Sequence, residues 1–110
     1  MKSTESSKYK VIITRSARTQ FGQILRYLRR DLGNEQAARN VKEDMEETRA
    51  KLPYVADSLK LCDDPQLRDL GYRTIHLKRH RYFLLYKIID DIVRVDGIYH
   101  DLQDYENILR

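Results

Sequence analysis

One cysteine, two prolines, four glycines and no tryptophan are spread over 110 residues, and each scarcity removes a class of protein. A lone Cys62 can close no disulfide within the chain and brings no cluster of metal ligands, so no structural metal or cofactor is expected. Apolar runs are only a few residues long, against the roughly 20 that a bilayer-spanning helix needs. The Ser-rich stretch Met1–Lys8 lacks the apolar segment of a signal peptide and reads as a disordered lead-in. A reducing cytoplasm is the expected compartment. What remains, residues 9–110, is enough for one domain with one core.

Charge is plentiful and unevenly placed. The net charge is +4. Lys8, Lys10, Arg15, Arg18, Arg26, Arg29 and Arg30 follow one another with no acid among them. A second acid-free stretch carries Arg73, Lys78, Arg79, Arg81 and Lys87 together with His76 and His80. Acidic segments, Asp31 to Asp69 and Asp90 onward, separate and follow them. Two basic segments meeting on one face would attract a polyanion, most commonly nucleic acid. Each cation taken singly reads as solvated surface.

Hydrophobic periodicity sets the elements. Tyr9–Thr14 is short and β-branched and reads as a strand buried on both sides. Ala17, Phe21, Ile24, Leu25, Leu28 and Leu32 then form one helical stripe, with Ser16 as N-cap and Gly33 as a left-handed stop. Asn34 caps a second helix, whose apolar line is Ala38, Val41, Met45 and Leu52 and which Pro53 ends. The short connection makes an antiparallel helical hairpin. Tyr54–Leu70 lacks a period and reads as a loop.

After Gly71 the period becomes two. Ile75 and Leu77 share one strand face, and Thr74, His76 and Lys78 the other. Lys78–Arg81 turns the chain into Tyr82–Ile89, apolar on both faces and so central. Asp90–Asp91 turns it again into Ile92–Tyr99, with Val93, Val95 and Tyr99 on one side. Leu102–Leu109 reads as a closing helix. The order β-α-α-β-β-β-α predicts an α+β fold, a small, mostly antiparallel sheet packed by the N-terminal helical hairpin.

Gly71–Tyr72–Arg73, Tyr82–Ile88, Ile98–Tyr99–His100 and Asp104–Leu109, in that order of elements, resemble the RelE/ParE toxins of bacterial type II toxin–antitoxin systems. The resemblance covers about Tyr9 to Arg110. It implies a cytoplasmic toxin held by a cognate antitoxin, with DNA reached only through that partner. It leaves the activity divided, because the family performs two jobs on one scaffold. RelE-like members cut messenger RNA on the ribosome; ParE-like members poison DNA gyrase without catalytic residues. A degenerate toxin that only binds its antitoxin is a third reading.

RNA cleavage without a metal requires one proton removed, one supplied and the extra phosphate charge stabilised. His76 falls where RelE-like toxins place a key lysine and YafQ-like toxins a histidine; His100 matches a second YafQ-like histidine. The resemblance therefore implies His76 and His100 as acid and base. It gives Arg73, Lys78 and Arg81 the phosphates, and Tyr105 a base to stack on, if that ring is not simply core. Two positions depart from the pattern. Phe83 stands where RelE-like toxins carry a phosphate-binding arginine, and the acid that accompanies YafQ-like histidines is missing from the turn at Arg79–Arg81. The two histidines and the nearby cations favour messenger RNA cleavage as the expected activity. The long hairpin favours the gyrase alternative.

Overall fold

A computed structural model describes residues 9–79 and 81–101. The expected lead-in at Met1–Lys8 and the expected closing helix, with Tyr105, lie outside the described residues. The elements are β1 (Lys10–Ile13), α1 (Arg15–Arg26) running into a π turn at Tyr27–Asp31, α2 (Glu35–Val55), a 3₁₀ turn (Ala56–Ser58), α3 (Pro65–Asp69), β2 (Tyr72–His76), β3 (Tyr82–Ile89) and β4 (Ile92–His100). Four strands form one mixed sheet in the order β1-β4-β3-β2, antiparallel except where β1 runs parallel to β4. Among the described residues no helix is long and apolar enough to cross a membrane.

Local chemistry explains several boundaries. Thr14, not Ser16, caps α1: its hydroxyl accepts from the Ala17 N–H and its backbone is extended. Asn34 caps α2 through the Ala37 N–H, and Gly33 turns the chain at φ +58°. The π turn, with the Leu32 N–H reaching the Tyr27 carbonyl, inserts extra winding before Leu32. That rotation takes Leu32 off the apolar stripe and leaves it 56% exposed. Pro53 does not stop α2. It sits in the last turn, where little helix remains to be disrupted, and α2 runs on to Val55. The expected loop after it holds the 3₁₀ turn and α3, capped by the Asp64 carboxylate on the Leu67 N–H.

Two cores flank the sheet. The hairpin covers one face, where Ala17, Leu28, Val41 and Leu52 meet Ile75, Leu84, Tyr86, Val93, Val95 and Ile98. On the other face Cys62 and Leu67 pack with Tyr72, Phe83, Leu85 and Tyr99. β3 is thus buried on both sides, as its run of apolar residues predicts. β1 is not. Among the described residues it is an edge strand, with Ile13 buried and Ile12 40% exposed, because the core on the face away from the hairpin includes none of its side chains.

The ladder between β3 and β4 carries one irregularity with wide consequences. Leu85 pairs with Gly97 and Tyr86 with Val95, so Asp96 is an extra residue, a β-bulge. Beyond it every side chain of β4 changes face. Val93 and Val95 look toward the hairpin, whereas Tyr99 joins Phe83 and Leu85 on the far face. Period two had placed these three together.

Candidate functional site

Side chains directly opposite each other in a ladder share a face. His76 pairs with Phe83, and Phe83 with Tyr99, so these three rings form a row across β2, β3 and β4 on the face away from the hairpin. Ring centroids are 5.5 Å apart for His76–Phe83 and 6.0 Å for Phe83–Tyr99. His100 pairs with Tyr82, in line with Leu84 and Ile98, and therefore faces the hairpin. Its ring meets Tyr82 edge-on at 5.2 Å, in an open groove of about 360 Å³ bordered by Gln20, Gln23, Ile24 and Tyr27 of the first helix and its π turn. The two histidines are on opposite sides of the sheet. Had β4 run without its bulge, residues 94, 96, 98 and 100 would have shared the face of His76.

His76 instead has an acid that the sequence did not show. Its Nε2 lies 3.1 Å from an Asp101 carboxylate oxygen, in a depression of about 150 Å³ lined also by Thr74 and Phe83. Asp101 reaches it because its backbone N–H bonds the Arg81 carbonyl, closing the end of the sheet beside β2 and β3. No spacing in the chain links positions 76 and 101; only strand register does. The dyad is open to water, with side-chain exposures of 60% and 33%. Solvent screens such a pair heavily.

The expected phosphate-binding residues divide in the same way. Arg73 pairs with Tyr86 on the hairpin face and donates to the Leu59 carbonyl, holding the segment after α2 against the sheet. Tyr86 does the same one step away, donating to the Ala56 carbonyl at 2.7 Å; burial pushes its phenol up to about 12. Lys78 and Arg81 are exposed in the bend between β2 and β3, close to His76 along the chain. Arg79 is committed to α2, with Nε 2.9 Å from Asp44 and a terminal nitrogen 2.9 Å from Glu43. Hydrogen bonds to these two carboxylates hold its guanidinium above its ordinary range.

A third polar cluster surrounds the bulge. Arg94 grips Asp96 through two nitrogens at 2.7 and 2.8 Å, and the Tyr72 hydroxyl donates to the same carboxylate at 2.5 Å. Burial, and then that bond to Asp96, raise the Tyr72 phenol; the carboxylate likewise raises Arg94. Lys87 lies 5.4 Å over the Tyr72 ring. All these groups satisfy one another and fix the bulge. Among the described residues no three His, Cys, Asp or Glu side chains gather as metal ligands would.

Comparison with known proteins gives a consistent picture. Residues 11–105 match the model of the family described as the ParE toxin of the type II toxin–antitoxin system parDE. A solved structure described as the chromosomal ParDE toxin–antitoxin system from P. aeruginosa superposes with a TM-score of 0.69 at 20% identity, covering 86% of this chain and 98% of that one. At that identity the likeness is one of fold. No curated protein matches the sequence.

Proposed function

Because the chain belongs to the ParE toxin family of type II toxin–antitoxin systems, we propose that it arrests growth as a non-catalytic inhibitor of DNA gyrase in the cytoplasm. As a toxin of such a system it has an antitoxin protein as partner. The observation that carries the gyrase reading is the split of His76 and His100 between the two sheet faces. A general acid and a general base acting on one phosphate must both be within hydrogen-bond reach of the reacting atoms. A sheet with rings on both sides stands between these two. Arg73, the third member of the set implied for cleavage, supports the Leu59 carbonyl on the hairpin face instead of facing the depression at His76. Binding needs no such convergence, and α1 and α2 present long outward faces for it.

One observation favours messenger RNA cleavage as the second reading. His76 with Asp101, next to exposed Lys78 and Arg81, retains a base, an orienting acid and two cations at one end of the sheet. Expression from a tight promoter separates the readings. The gyrase reading expects loss of negative supercoiling in a reporter plasmid with unchanged messenger RNA 5′ ends. New 5′ ends with supercoiling intact would transfer the assignment to cleavage.

A further inference from the structure

The two arms of the hairpin differ sharply in charge. The outer face of α2 mixes Arg39 and Lys42 with Glu43, Glu46 and Glu47, so that it neutralises itself. From Arg15 to Arg30, α1 and the first four residues of its π turn carry five arginines and no acid, and Asp31 closes the turn. At about 100° per residue, Arg15, Arg18, Gly22 and Arg26 fall within a quarter of the α1 circumference, and Arg29 and Arg30 follow in the π turn. All five arginines are exposed, and Gly22, Arg26, Arg29 and Arg30 line one shallow depression of about 310 Å³. At ~1.5 Å per residue the stripe from Arg15 to Arg30 is about 22 Å long.

Two further features separate this stripe from ordinary solvated surface. Arg15 and Arg18 stand in the first turn of α1, at the positive end of the helix dipole, where a cation is disfavoured and the turn itself holds no acid. Gly22 sits at the centre, where a larger residue would serve helix formation better; nothing lies within 4 Å of the Cβ position it omits. The stripe is therefore a row of guanidiniums with bare backbone in its middle.

We infer that this face of α1 itself grips the phosphate backbone of duplex DNA, in place of the indirect contact, through the antitoxin alone, that the family resemblance implies. Guanidinium forks match phosphate oxygens in pairs, and the row contains arginine to the exclusion of lysine. An amphipathic protein segment would need apolar anchors, yet Leu25, half-buried, is the one large apolar side chain at the depression. The choice of duplex DNA over RNA rests on the gyrase reading, since gyrase presents its DNA as a duplex. The contact positions the toxin on DNA without reading bases.

The test is a fluorescence-anisotropy titration of the purified chain on a mixed-sequence duplex across a range of salt, with no gyrase present. The expected result is binding that weakens steeply with salt. The triple variant Arg15→Gln, Arg26→Gln, Arg30→Gln spares Arg18, which donates to the Ile13 carbonyl, and Arg29, which pairs with Glu35. Losing three contacts should make the log–log salt slope shallower by about 2.7 and weaken binding at least roughly tenfold at 0.1 M salt. Gly22→Glu, placing an acid in the row where no atom obstructs it, should weaken binding too, with an unchanged urea midpoint or a higher one. Duplex affinity unaltered in both variants would overturn the inference. So would tighter binding to single-stranded RNA of equal length, or equal binding to polyglutamate. A failure here leaves the gyrase reading standing, because that reading is decided by supercoiling alone.

Discussion

The Tyr99 ring lies against the backbone of Gly97, so close that a Cβ at position 97 would sit 2.5 Å from the Tyr99 Cε2. Both residues lie beyond the bulge at Asp96, on the face away from the hairpin, and Gly97 is the gap that lets the ring lie flat in its row with Phe83. Gly97→Ala is expected to cost about 1–3 kcal/mol in urea unfolding, the usual range for an overpacked interior. In a Tyr99→Leu background the same change should cost far less. Equal costs in the two backgrounds would show that the ring is not what Gly97 accommodates.

Asp44 holds the bend between β2 and β3. Its carboxylate, 3% exposed, accepts from both the Nε and the backbone N–H of Arg79. Removing the cation from a buried carboxylate leaves its charge uncompensated. Arg79→Met is therefore expected to lower the urea midpoint. Adding Asp44→Asn should restore most of the loss, because the amide carries no charge and can still accept from the backbone N–H. A double variant weaker than Arg79→Met alone would contradict this.

Alkaline pH should act through Tyr86. Its phenol is raised to about 12 in the folded chain, chiefly by burial, against 10 for the unfolded one. Stability is then fully present below about pH 10 and declines as pH rises toward 12, because the unfolded chain releases its proton first. Urea midpoints measured across that window should fall in the wild type and fall less steeply in Tyr86→Phe. At neutral pH the same variant is expected to be about 1 kcal/mol less stable, since the buried Ala56 carbonyl loses its donor. An identical alkaline slope in both proteins would remove Tyr86 from the account.

Element types were legible in the sequence because periodicity reports burial. The stripe from Ala17 to Leu28, the alternation around Ile75 and the doubly apolar Tyr82–Ile89 all describe what their faces meet. Side-chain direction beyond residue 95 was not legible from strict alternation, since one extra residue reverses it. The sequence does hold a cue, as Asp96–Gly97 interrupts a strand and glycine within a strand often marks a bulge. That single reversal separates His76 from His100. Asp101 beside His76 and Asp44 beneath Arg79 are joined across 25 and 35 residues, where only three-dimensional packing makes the pair.

The most direct measurement is DNA supercoiling by purified gyrase in the presence of the chain, as wild type and as the His76→Ala, His100→Ala double variant. Inhibition by both proteins to the same extent, relieved by the antitoxin, is the result expected of a non-catalytic gyrase inhibitor. Undisturbed supercoiling, together with messenger RNA cut by the wild type and spared by the double variant, would contradict it.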